Sequence, residues 1–189
     1  MDTVVLMLDL CAGLGGASQA MKKRGWEVVT LDIDPQFNCD ITADLSTWEY
    51  RGPRPDLLWI SPPCTEFSRE SMPWCRTGTP PDMTLVKAAW HQIAEIQPRY
   101  WILENVRGAR PYLGAPTFKY GPFYLWGSFP DLGWLPLFMP TKSETSGRYP
   151  ARRAVIPPML SLAIARAIEG STHEDTSTDP RRPTGAVLQ

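Results

Sequence analysis

Apolar residues in this chain gather in short, strand-length runs, each ending in glycines or in polar groups. Val4, Val5, Leu6, Met7 and Leu8 lead into Asp9, Leu10, Cys11, Ala12, Gly13, Leu14, Gly15 and Gly16, after which a helical segment runs through Met21 and Lys22. That order predicts a buried strand, a glycine turn and a helix. Val28, Val29, Thr30 and Leu31 repeat the buried pattern and end at Asp32, Ile33, Asp34 and Pro35, where carboxylates and a proline mark the exit from a sheet. Leu57, Leu58, Trp59 and Ile60 run into Ser61, Pro62 and Pro63, and Tyr100, Trp101, Ile102 and Leu103 run into Glu104 and Asn105. Each predicted strand delivers polar groups at its C-terminal end.

Between the last two strands, residues 85–96 place apolar side chains at 85, 86, 89, 90, 93 and 96, the spacing of a crossover helix. Residues 122–127 predict one further strand, and residues 158–168, with proline in the first turn, a closing helix that ends the domain near Glu169. The expected fold is therefore α/β, with a mostly parallel sheet flanked by helices and a ligand crevice beyond the carboxyl ends of the strands. A catalytic domain over residues 1–170 is expected. The stretch 171–189 is rich in Ser, Thr, Pro and mixed charge, and is expected to be a disordered tail.

Composition narrows the function. A length of 189 residues with 43% hydrophobic residues gives one domain with a sizeable core, and a net charge of −1 excludes a strongly basic nucleic-acid coat, so any polyanion must be held locally. The four cysteines form no CxxC pair and there are two histidines, so neither a zinc ribbon nor an HExxH site can be built and no metal is expected. The N-terminal apolar run follows Asp2 rather than a basic region, and no run of apolar residues is long enough for a membrane span. A cytoplasmic protein with reduced thiols and no membrane partner is expected.

Candidate chemistry falls at the predicted crevice. The glycines at 13, 15 and 16 would let the backbone approach a flat ligand, although a simple strand-to-helix turn accounts for them equally well. Asp32 could accept two hydrogen bonds from a ribose diol, and Asp44, after Ile41, Thr42 and Ala43, an exocyclic amine; each taken singly reads more readily as a solvated turn or cap residue, and it is their order along the sheet that favours a nucleoside-bearing ligand. The run Ser61, Pro62, Pro63, Cys64, Thr65, Glu66, Phe67, Ser68 is more specific, since two prolines stiffen the chain before a thiol suited to nucleophilic attack. Cys11 and Cys39 read as small core fillers. Glu104 would bring a carboxyl, its pKa raised by partial burial, to the neighbouring strand end.

Together these residues resemble the DNA (cytosine-5) methyltransferase family. Residues 9–16 are similar to its first cofactor motif, Pro63 and Cys64 with Phe67 and Ser68 to its nucleophile motif, and Glu104, Asn105 and Val106 to its ENV motif. Val155, Ile156, Pro157 and Pro158 with the following helix resemble its last motif, which returns beside the first. The resemblance covers about residues 4–169 and implies the Rossmann-like fold of S-adenosylmethionine-dependent methyltransferases. It implies that Asp9, Cys11, Ala12, Gly13, Gly15, Gly16, Asp32, Ile33, Asp44, Leu45 and Pro62 hold S-adenosylmethionine. It further implies Cys64 as nucleophile, Glu104 as the acid that recognises the base, and Pro63, Ser68 and Asn105 on the substrate, DNA containing cytosine; Lys119, Arg152 and Arg153 are candidate substrate contacts by their charge alone.

Three departures qualify the likeness. Cys11 stands where the family usually has phenylalanine. The Gln-x-Arg-x-Arg motif is absent, its region reading Phe118, Lys119, Tyr120, Gly121 and Pro122, with Lys119 its one cation. The segment between Val106 and Val155 is too short for a separate target-recognition domain, so a short or relaxed sequence preference, or a protein partner that supplies recognition, is expected. The basic stretch with Lys142, Arg148, Arg152 and Arg153 and the loop 69–76 with Trp74 are what remains to hold a polyanion, each of these residues being equally a solvated loop residue. Two alternatives stay open: the same chemistry on a free cytosine nucleotide, and an inactive cofactor-binding regulatory subunit.

Overall fold

The computed structural model describes residues 4–69, 77–136 and 155–174. Its first strand, β1 (Leu6–Leu10), lies inside the sheet and is buried at all five positions, because hydrogen-bonded neighbours flank it and helices cover both faces. β2 (Glu27–Asp32) and β4 (Leu57–Ile60) pair with it in parallel; β3 (Ile41–Thr42) joins β2, and β5 (Tyr100–Asn105) joins β4. β6 (Phe118–Tyr120) and β7 (Phe123–Ser128) form a hairpin whose turn is permitted by Gly121 at φ 57°, and β7 runs antiparallel against β5. The seven-stranded order is β3, β2, β1, β4, β5, β7, β6.

Strand alternation sorts the core into two layers. Met7, Leu57, Trp59, Ile102 and Leu125 pack beneath α1 (Gln19–Lys23) and a long C-terminal helix, Pro158–Glu174. Leu8, Leu58, Ile60, Leu103 and Tyr124 face the opposite layer, where α2 (Thr65–Arg69), α3 (Thr84–Ile96) and α4 (Arg110–Leu113) lie. The C-terminal helix is α5. The expected mixed, mostly parallel sheet flanked by helices is the observed one. Among the described residues no helix is long and apolar enough to cross a membrane.

Local boundaries differ from the expected ones for physical reasons. Val4 is exposed and the first strand begins at Leu6, where pairing with Glu27 begins. The helix after the glycine turn starts only at Gln19, because Cys11, Gly13 and Gly15 take positive φ angles that no right-handed helix accepts. Glu104 and Asn105 are inside β5 rather than beyond it, held there by Leu125 and Tyr124 of β7. On α3 the buried positions include Gln92, whose amide donates to the carbonyls of Leu45 and Trp48, whereas Trp90 is largely exposed and meets Trp101 edge-on. α5 continues past Ile168 to Glu174, and the Ser171 hydroxyl at its end lies 3.0 Å from that of Tyr100. Residues 171–174 are thus helical, and the remainder of the expected tail lies outside the described residues.

Candidate active site

Parallel pairing aligns the strand ends. Leu31, Leu10, Ile60 and Leu103 form one row across β2, β1, β4 and β5, so the next residues, Asp32, Cys11, Ser61 and Glu104, emerge side by side at the C-terminal edge. This is the edge at which the sequence pattern sets its candidate residues.

On its left side the glycine turn folds over β2. Ala12 N–H donates to the Leu31 carbonyl at 3.0 Å, Gly13 N–H to Asp32 Oδ2 at 2.9 Å, and Gly15 N–H to the Ala12 carbonyl at 2.9 Å. Asp32 Oδ1 also accepts from Asp34 N–H, so this carboxylate fixes the turn while retaining lone pairs for a diol. A Cβ on Gly13 would meet nothing within 4 Å, leaving backbone open to a ligand, while one on Gly16 would sit 2.6 Å from the Ile156 nitrogen. The segment Val155, Ile156 therefore crosses directly over Gly16. Gln19, which the motifs did not single out, bridges the Gly16 and Ile156 carbonyls at 3.1 and 3.4 Å.

The electrostatics of this cradle are anionic. Asp9 is 0% exposed, and among the described residues neither of its oxygens has a partner in hydrogen-bonding geometry. Burial pushes its pKa up to about 6, against the influence of Ser18 and Lys22. The Cys11 thiol is pushed up to about 12 by burial and then by the charges of Asp32, Asp9 and Asp44. Leu14 and Ile33 flank the cradle as exposed apolar side chains, 54% and 64% accessible. Asp44 Oδ1 accepts from the N–H and hydroxyl of Ser46, and those bonds hold its carboxyl below the usual range. Leu45 is a core residue whose carbonyl takes the Gln92 amide, so any contact with a ligand falls to its N–H.

The right side carries the thiol and the second acid. After Ile60, Ser61 N–H donates to the Leu10 carbonyl, and the chain passes through buried Pro62 and exposed Pro63 to Cys64, which sits half-buried just before α2. The Cys64 carbonyl accepts from Phe67 and Ser68 N–H, which fixes the residue at the helix entrance. Ser68 turns its hydroxyl back to the Thr65 carbonyl. Burial pushes Glu104 up to about 7, opposed by the Ser61 hydroxyl, which itself accepts from Trp59 Nε1 at 2.6 Å. Ser61 therefore links a buried indole to the carboxyl, a role its place in the motif did not reveal.

Asn105 is not where the sequence led us to expect it. It is fully buried, donating from Nδ2 to the Pro62 carbonyl at 3.1 Å and accepting Val106 N–H at 2.9 Å. Both ends of its amide are committed, so it ties the cysteine loop to β5 instead of reaching a substrate. Lys119 is exposed on β6 with its ammonium 5.6 Å from the Tyr124 ring centre. Cys39 is half-buried. Arg152, Arg153, Lys142, Arg148, Trp74 and Cys75 lie outside the described residues. A groove of about 220 Å³ follows the outer flank of the cysteine loop, lined by Pro62, Pro63, Phe67 and Leu85 among others; neither Cys64 nor Glu104 lines it.

A glycine cradle, an acid at the end of the second strand, and a Pro-Cys loop beside a Glu-Asn-Val strand end thus share one edge of a mostly parallel α/β sheet. The chain belongs to the C-5 cytosine-specific DNA methylase family, whose model matches residues 5–112. It is 33% identical over 117 residues to "Probable DNA (cytosine-5)-methyltransferase" of frog virus 3 (isolate Goorha), a match covering 52% of this chain and 52% of that protein. The chain thus spans about half the length of this curated relative. Among solved structures, a prophage-encoded protein of E. coli aligns at TM-score 0.43 and 21% identity, covering 56% of this chain and 33% of that one. The Dnmt2 methyltransferase of S. pombe aligns at TM-score 0.36 and 20% identity, covering 57% and 36% respectively.

Proposed function

We propose that this chain methylates carbon 5 of cytosine in DNA, with Cys64 as covalent nucleophile and S-adenosylmethionine as methyl donor. The observation that supports this reading is that the Pro-Cys loop leaves β4 at Ser61, beside Glu104 of the adjoining parallel strand β5 in the row that also holds Asp32, and that Asn105 ties this loop to β5.

The cradle suits the cofactor's chemistry. Exposed Leu14 and Ile33 offer apolar faces to a purine, Asp32 retains acceptor capacity for ribose hydroxyls, and Gly13, Gly15 and Gly16 admit close backbone approach. The three carboxylates that raise the Cys11 thiol create a negative potential matched to a sulfonium and an ammonium group. When bound, S-adenosylmethionine supplies an electrophilic methyl group.

Carbon 5 of cytosine is a poor nucleophile. Addition of the Cys64 thiolate to carbon 6 turns the ring into an enamine whose carbon 5 can accept an electrophile. Glu104 holds a proton at ring nitrogen 3 and so offsets the charge that develops there, a contribution of roughly 100- to 1,000-fold for one such contact. Removal of the carbon 5 proton then expels the thiolate and restores aromaticity. Asn105 and Ser61 do not touch the base: the first holds the cysteine loop against β5, and the second holds the Glu104 carboxyl.

Nucleoside mass spectrometry tests the reading on DNA from cells lacking cytosine methylation that express either this chain or Cys64→Ala. The expected result is 5-methylcytosine with the intact thiol alone. Unmodified DNA in both cases, from soluble protein, overturns it.

A further inference from the structure

The residues that follow the ENV motif form a second feature. Arg107–Ala109 is a 3-10 turn that runs straight into α4 at Arg110, so Arg107 and Arg110, three positions apart, project from the same side of one continuous turn. Both are exposed, while Ala109 between them is fully buried. Among the described residues neither guanidinium forms a salt bridge, in contrast to Arg24, Arg51 and Arg69, which pair with Glu169, Glu49 and Glu66.

This turn is set against the nucleophile's helix. A Cβ on Gly108 would lie 2.0 Å from the Phe67 carbonyl, so glycine is what allows the turn to seat directly on α2. Tyr112, 48% exposed, packs its ring 5.8 Å from that of Phe67, whose N–H bonds to the Cys64 carbonyl. Lys119 stands in the row that runs from Asn105 through Tyr124, two strands away and about 10 Å along the sheet. Two exposed cations thus sit on the turn that follows β5 and is seated against the helix that begins just after Cys64.

We propose that Arg107 and Arg110 form the face that grips the phosphodiester backbone of a nucleic acid acted on by Cys64 and Glu104. The assignment rests on the DNA reading above and supplies the local cationic contact that a chain of net charge −1 requires. Two exposed guanidiniums that form no salt bridge among the described residues are suited to phosphate oxygens.

The test uses the full chain, a fluorescein-labelled cytosine-containing duplex, and binding by anisotropy across 50 to 200 mM salt. Each phosphate contact contributes about 0.9 to the slope of log affinity against log salt, so Arg107→Gln with Arg110→Gln should lower the slope by about 1.8, and either single variant by about 0.9. The pair Arg107→Lys with Arg110→Lys should keep the wild-type slope, because charge and not shape sets it. Thermal shift with S-adenosylmethionine should be the same in all variants; should the double glutamine variant not fold, the single variants decide. An unchanged slope in glutamine variants of a chain that still methylates DNA overturns this assignment alone. A wild-type chain that neither binds the duplex nor methylates DNA overturns both readings.

Discussion

Asp9 and Glu104 are both carboxyls whose environment disfavours their charge, and each has a different consequence. For Asp9 the folded pKa of about 6 exceeds the ordinary 3.8, so the folded state binds the extra proton. Stability is therefore greatest below about pH 4 for this group and is lost as pH rises toward 6, by on the order of 3 kcal/mol. Asp9→Asn removes the charge without changing shape. In cofactor-free protein it should be more stable than wild type at pH 8 and not at pH 4.5, as read by urea unfolding; equal stability at both pH values would contradict the buried, unpartnered carboxylate. For Glu104 the useful form is the protonated one, which persists to about pH 7. Ser61 pulls that value down, so Ser61→Ala should move the alkaline limb of the kcat/KM profile to higher pH, whereas an unmoved limb would detach Ser61 from Glu104. Cys64, Glu104 and Asp32 were legible in the sequence because each follows an apolar run at a strand's end. Ser61 and Gln19 were not, since their significance lies in partners far along the chain: Glu104 in one case and the Ile156 carbonyl in the other.

At the scale of elements, close approach and not residue type decides what a glycine does. Gly13 takes φ 53° with open space around it, so Gly13→Ala is opposed by backbone strain alone, about 1 to 2 kcal/mol. Gly108 has no positive φ but sits on the Phe67 carbonyl, so Gly108→Ala must push the 3-10 turn away from α2. We expect a loss of about 1 to 3 kcal/mol in urea unfolding together with reduced methyl transfer, because the displaced helix carries Cys64 at its entrance. Full activity with wild-type stability would show that the turn can retreat without disturbing the thiol. The strands β2, β4 and β5 were legible because β-branched and aliphatic runs filled their buried lengths. β3, β6 and α2 were not: two, three and five residues are too short for any period to emerge, and their pairing partners define them. Asn105 was misplaced for a related reason. Its motif neighbour Glu104 lies on one face of β5, opposite Leu125, and strand alternation sends the next side chain to the other face, where the Pro62 carbonyl receives it.

At the scale of the whole molecule, the cradle closes only when distant segments meet. Ser161 of α5 accepts from Ala20 N–H and donates to the Ala17 carbonyl, Ile156 crosses Gly16, and Glu169 takes the Trp26 indole and the Arg24 guanidinium. A ligand held between residues 9–33 and the segment at 155–156 therefore binds the folded chain and not the unfolded one. Mass action then sets the size of the effect: at one hundred times its dissociation constant, S-adenosylmethionine should add about 2.7 kcal/mol. For a chain of 189 residues that corresponds to a Tm increase of roughly 5 to 11 °C. Asp32→Asn weakens the grip on a diol while leaving an acceptor oxygen for Gly13 N–H, so its own Tm should change little and its response to cofactor should shrink. Gly16→Ala drives a Cβ into the Ile156 backbone and should lower both the Tm and the response. Differential scanning fluorimetry with and without S-adenosylmethionine separates the two, because only the second variant breaks the closure itself. A wild-type Tm that does not respond to the cofactor would remove the cradle from the proposed reaction.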